Sequence, residues 1–159
     1  MVTTRICVKP HLKEYIVGKY NLFSDDRIRF PDNLDIYHTL FNLTEKRPPG
    51  CFRDDGNLEI VLPDRHWAKH PETYNYLGVR SQKIINRKLE IMFWADFREY
   101  VDYQHHINAI SYIEAVCLFL RRYGIQSISE DAMLKNYYRW RKKIRNADKR
   151  GYNKKKFSE

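Results

Sequence analysis

Glycine is scarce in this chain, with 6 in 159 residues. There is no GxxxxGK[S/T] loop and no GxGxxG after a strand, so nucleotide hydrolysis and dinucleotide binding lack the backbone cradle they need. No GxSxG elbow presents a nucleophilic serine. The three cysteines, Cys7, Cys51 and Cys117, stand too far apart for a CxxC motif, and their odd number points to buried thiols rather than a disulfide framework. No apolar run approaches the length of a membrane span, and no basic segment followed by an apolar core opens the chain, which argues against a signal peptide. Neither a CaaX box nor a myristoylation signal is present, so no membrane partner is expected. Internal repeats, Gly/Ser linkers and low-complexity tracts are also missing, apart from a short polar end. No cofactor is expected.

What the chain does have is material for a core, at 43% hydrophobic and 14% aromatic residues, enough for one domain or two small lobes sharing a core. It also has a net charge of +9 that is unevenly placed. From Met133 to Lys156 there are eleven Lys or Arg and one acid, Asp148, so this segment carries +10 and the rest sums to about −1. A nearly neutral body with one cationic end implies a polyanionic partner. Nucleic acid comes first, because Lys and Arg gain affinity by displacing counterions from phosphates.

Taken in order, Arg5 to Lys9 alternates like a half-buried strand with Ile6 and Val8 facing together, and Pro10 ends it and opens a helix to about Asn21. Ser24, Asp25 and Asp26 form a turn cluster before a second short strand, Arg27 to Phe30. Asp32 or Asn33 then caps a helix with a broad apolar face from Leu34 to about Lys46. Two prolines and two glycines between Arg47 and Gly56 make a loop, and Asn57 to Leu62 is a third strand. The expected class is α+β: a small β-α-β-α-β lobe over residues 1–63, a connector over 64–80, a helical region over 81–146 and a flexible basic tail over 147–159. In the connector, His66, Trp67, Lys69, His70 and Arg80 mix basic and aromatic character, with packing under a loop preferred over a nucleic-acid surface. The longest helical pattern runs from Ser81 to about Gln104, with Ile85, Leu89, Met92, Phe93, Phe97, Tyr100 and Val101 on one stripe and Lys83, Arg87 and Arg98 on a solvated side.

Residues 110–145 hold two short helical patterns and a turn. Ser111 with Glu114 is a capping box, and Ile113, Val116, Cys117, Leu120 and Tyr123 fall on one face. Gly124 suits the left-handed residue after a helix. Either Ser127 or Ser129 caps the next helix, Ser129 being favoured, and Glu130 and Asp131 sit at its positive end. In that helix Met133, Tyr137, Trp140 and Ile144 form a packing stripe, while Lys135, Arg139 and Lys142 run along another side. A helix, a glycine turn and a basic helix make a helix-turn-helix candidate, with an ordinary helical hairpin as the plain alternative.

Catalytic signals are weak by comparison. His66 and His70 have an i, i+4 spacing that would allow metal chelation, but a zinc protease would need Glu where Trp67 stands. His105 and His106 are adjacent, whereas nicking enzymes place a hydrophobic residue between their two histidines. Tyr137 and Tyr138 have no metal site beside them. Asp25, Asp26, Asp54, Asp55, Asp64 and Glu72 would support a metal-dependent nucleic-acid-processing enzyme only if they converged around Mg²⁺. A third alternative is an interaction protein whose basic tail binds some other acidic surface.

The ending SISEDAMLKNYYRWRKKIR resembles helix-turn-helix DNA-binding proteins of phages and bacterial mobile elements, small regulators of transcription or replication with an added α+β region. The likeness covers about a quarter of the chain and rests on the order of cap, turn and basic helix. It implies that Lys135, Asn136 and Arg139 face bases, that Arg141, Lys142, Lys143 and Arg145 hold phosphates, and that Tyr138 packs or touches phosphate. Double-stranded DNA is the implied partner, in the cytoplasm of a bacterial or infected host cell. A homodimer fits the same picture, since one recognition helix buries little DNA surface.

Overall fold

The computed structural model describes residues 1–21, 27–51, 55–65 and 68–156, with side chains as far as 148. Three strands and five helices alternate first and then turn wholly helical: β1 (Thr3–Ile6), α1 (Pro10–Tyr20), β2 (Arg27–Ile28), α2 (Asp35–Leu43), β3 (Leu58–Val61), α3 (Val79–His106), α4 (Tyr112–Tyr123) and α5 (Glu130–Lys156). This is the α+β class, and the first five elements follow the β-α-β-α-β order. Ser24, Asp25, Asp26, Asp54, His66 and Trp67 lie outside the described residues.

In the sheet, β3 occupies the centre, in the order β1-β3-β2. It pairs antiparallel with β1, Thr3 opposite Val61 and Ile6 opposite Leu58, and parallel with β2, Ile28 opposite Ile60. β1 begins and ends earlier than the alternation suggests. The reason is Asn57, whose side-chain amide accepts from the Val8 N–H at 2.9 Å and donates to the Val8 carbonyl at 2.9 Å, taking the place of a strand partner.

Helix boundaries differ in similar ways. Neither Asp32 nor Asn33 caps α2; Leu34 is its N-cap without a side-chain bond, and Asp35 supplies the favourable negative charge in the first turn. α2 stops at Leu43, short of Lys46, because Glu45 pairs with Tyr76 and the Lys69 ammonium takes the Asn42 and Thr44 carbonyls, each at 2.9 Å. α3 starts two residues before Ser81 behind the N-cap Gly78 and ends at His106. At about 1.5 Å per residue it is about 42 Å long and spans the molecule.

Along α3, Ile85, Leu89, Phe93, Phe97 and Val101 are fully buried at i, i+4 spacing. One continuous cluster of buried residues runs from Ile6 through this stripe to Tyr137, so the sheet and the C-terminal hairpin share a core. Its centre is aromatic: Phe119 of α4 meets Phe93, Phe97, Tyr100 and Tyr123 with ring centroids 5.0–6.0 Å apart, mostly edge to face. The α4 face is therefore rotated from the one the spacing suggests. Ala115, Val116, Phe119 and Leu120 are buried, while Ile113 is 55% exposed and Cys117 half-buried. The larger apolar area of Phe119 sets the orientation. α1 crosses α4 so closely that a Cβ on Gly18 would stand 2.4 Å from the Tyr123 carbonyl oxygen.

Among the described residues no helix is long and apolar enough to cross a membrane.

Candidate nucleic-acid interface

Local signals position the hairpin. The Ser111 hydroxyl accepts from the Glu114 N–H at 3.3 Å, and the Ser129 hydroxyl accepts from the Ala132 N–H at 3.2 Å, which selects Ser129 as the cap of α5. Gly124 has φ +64°, and the Ile125 N–H returns to the Leu120 carbonyl, closing α4. Six residues, Gly124 to Ser129, separate the two helices, more than the three or four of a compact helix-turn-helix.

That longer turn is clamped from a distance. Glu14 of α1 accepts from the backbone N–H groups of Gln126 and Ser127, at 2.9 and 3.1 Å, and from the Ser127 hydroxyl at 2.8 Å. Burial pushes its carboxyl pKa up, but the donors of Ser127 and Gln126 together outweigh it and hold the group below the usual glutamate range. No short-range signal marks this residue.

α5 is fastened on one side only. Met133 and Tyr137 are fully buried, and the Tyr137 hydroxyl donates to Asp102 of α3. Burial first, then that hydrogen bond, raises the Tyr137 pKa far above its ordinary value, so it stays a protonated donor. Trp140 is half-buried beside Arg98, whose guanidinium carbon lies 5.1 Å from its ring. Ile144, which the stripe would bury, is 43% exposed, because α5 has by then left the body. Every residue from Lys142 to Asp148 is exposed. The helix nevertheless continues to Lys156, so most of the stretch expected to be a flexible tail is helical. Lys, Arg and Ala are good helix formers, and extending an existing helix avoids the cost of nucleation.

Of the eight residues assigned to DNA, six face solvent: Lys135, Tyr138, Arg139, Lys142, Lys143 and Arg145. Lys135 pairs with Asp131 at 2.7 Å. Among the described residues, Arg139, Lys142, Lys143 and Arg145 have no ion-pair or hydrogen-bond partner. Asn136 and Arg141 are turned inward. Asn136 is half-buried and accepts from Arg98 at 3.4 Å. Arg141 donates to the Tyr112 hydroxyl and lies over the Tyr112 and Tyr137 rings at 5.1 and 5.7 Å. Both have structural contacts that a helical wheel does not show, because the partners come from α3 and α4.

The remaining candidates are dispersed. His105 stacks on Tyr112 with centroids 3.8 Å apart, and its Nδ1 meets the Ile110 carbonyl at 2.9 Å, so it orients the start of α4. His70, Asp64 and Glu72 line a concavity of about 450 Å³ at the carboxyl ends of β2 and β3, with Arg29 and Tyr37. Among the described residues no group of three or more His, Cys, Asp or Glu is placed to hold a metal ion. Arg98, expected on a solvated side, is half-buried between Trp94 and Trp140. Compared with protein-family models, curated proteins and solved structures, the chain matches none.

Proposed function

We propose that this chain is a non-enzymatic DNA-binding protein, a regulator of transcription or replication, that reads duplex DNA with the solvent side of α5. The observation that carries this reading is the division of one helix. Its inner side is held by Met133, Tyr137 and Trp140, and its outer side presents Arg139, Lys142 and Arg145, whose side chains have no partner among the described residues. A helix about 10–12 Å across fits a major groove about 12 Å wide. The exposed half of α5 extends beyond the body, so a duplex meets it without colliding with the lobe that supports it. Arg139 is the best placed for a base edge, and Lys142, Lys143 and Arg145 for phosphates. Asn136 and Arg141 serve this surface by holding the helix.

A binding titration with duplex DNA at two salt concentrations, with and without Mg²⁺ and with heparin as competitor, tests the reading. The expected result is tight binding at low salt that weakens steeply with added salt and leaves the duplex uncut. Absence of binding at low salt overturns it. Strand cleavage that requires Mg²⁺ would favour a processing enzyme, and equal affinity for heparin and DNA a general polyanion binder. Arg139→Ala is expected to cost cognate DNA about 1–3 kcal/mol and random DNA much less.

A further inference from the structure

We infer that Asn146 reads an adenine in the major groove and that, together with Arg139, it sets the sequence preference of α5. This rests on the DNA reading above and names the base pair that the helix selects.

Reading a base takes a side chain that is exposed, free of protein partners and able to present hydrogen-bonding groups in fixed geometry. Asn136, which the resemblance places against bases, fails that test, because it is half-buried and engaged by Arg98 at 3.4 Å. Asn146 meets it. It is exposed, has no partner among the described residues, and stands beyond Ile144, where α5 has already left the body. Among the described side chains of α5 it is the one exposed amide.

The phase of the helix places Asn146 beside the best base-reading candidate. At about 3.6 residues per turn, Asn146 and Arg139 differ by only about 20° around the axis and by about 10 Å along it. Lys143 lies about 50° to one side of this pair, and Lys142 about 50° and Arg145 about 110° to the other. The packing residues Met133, Tyr137 and Trp140 face about 140° away, and Asp148 is about 160° from Asn146, so its carboxylate does not share the reading face. An arginine and an amide thus stand between two flanks of cations, one flank for the phosphates of each strand. Arginine pairs with guanine O6 and N7, and asparagine with adenine N6 and N7, each through two hydrogen bonds, whereas a lysine ammonium acts as a point charge. At about 3.4 Å per base pair, the two contacts fall about three base pairs apart.

Selection of bound duplexes from a random pool by the full chain, followed by titration of the selected site, tests the inference. The wild type is expected to select an A·T pair about three base pairs from a G·C pair. Asn146→Ala should lower the preference for that A·T pair by about 5- to 100-fold. The preference for the G·C pair and the salt dependence should persist, and helicity should not fall, since alanine is the better helix former. Replacing the adenine by 7-deazaadenine, which lacks the N7 acceptor, should weaken binding of the wild type and leave that of Asn146→Ala unmoved. A variant that keeps the adenine preference, or that loses affinity equally for every sequence, overturns the inference and leaves DNA binding standing. So does wild-type binding without any sequence preference. No binding to duplex at low salt overturns both.

Discussion

Around α2, Arg65 lies over the Phe41 ring at 4.5 Å and the Tyr37 ring at 5.5 Å and donates to His38 Nδ1, while Lys69 takes the carbonyls at the end of α2. Arg47 bonds Asn75 Oδ1 at 3.0 Å and sits over Tyr76. On α5 the same residue types, Arg139, Lys142, Lys143 and Arg145, extend into water with no such partner among the described residues. The first group is structural: its cations cover aromatic rings and end a helix, where cation–π contacts contribute about 0.5–2 kcal/mol. The second contributes little to the fold and is available to a polyanion. Basic and aromatic character alone therefore does not identify a binding surface. What separates the two regions is whether a ring or carbonyl is within reach.

Mutations that remove charge from each region are the sharpest way to break this contrast. Replacing Lys142, Lys143 and Arg145 together by Ala should have the largest effect. The slope of log affinity against log salt is expected to fall by about 3, about 1 for each phosphate contact. Thermal unfolding should move little, since exposed substitutions usually change stability by less than about 0.5 kcal/mol. If the triple variant binds duplex with an unchanged slope, α5 is not the phosphate-binding region. Arg65→Ala should do the reverse. Chemical denaturation should reveal a loss of about 1–2 kcal/mol, and DNA affinity measured on the folded variant should be unaltered.

Glu14→Gln keeps an oxygen acceptor and removes the charge of the clamp beneath α5, and should cost about 1 kcal/mol, the difference between hydrogen bonds to a charged and to a neutral acceptor. The sign with pH is definite. The folded pKa of Glu14 lies below its unfolded value, so the clamp's contribution is complete above the usual glutamate range and fades as pH falls through the folded pKa. The stability difference between wild type and Glu14→Gln should therefore be full at neutral pH and shrink in acid. A difference that grows on acidification contradicts the hydrogen-bonded carboxylate. The smallest effect belongs to Lys135→Ala, which removes an exposed i, i+4 pair worth about 0.3–0.5 kcal/mol. Because Lys135 is already paired with Asp131, its removal should change the salt slope less than removal of Lys142 does.

How much of this was legible in the chain follows the range of the interactions. The Ser111 and Ser129 caps, the left-handed Gly124, the α3 stripe and the packing residues Met133 and Tyr137 all depend on neighbours within about one or two helical turns, and each stands where the spacing puts it. The central place of β3, the shortened β1 and the rotated α4 do not depend on such neighbours. The end of β1 was decided by Asn57 against Val8, and the seat of α4 by Gly18 against Tyr123 and by the competition of Phe119 with Ile113 for the core.

The candidate interface divides along the same line. Sequence alone determined that one end of the chain carries its excess positive charge and that the first part of this end is a helix packed through Met133 and Tyr137, because charge and periodicity are properties of consecutive residues; that the helix runs on to Lys156 was not legible there. Only the tertiary structure decided that Asn136 and Arg141 are held by Arg98 and Tyr112, that Arg98 lies between two indoles, and that Glu14 fastens the turn. Those contacts join residues up to 113 positions apart, and their energy arises only when packing has brought both partners out of water together.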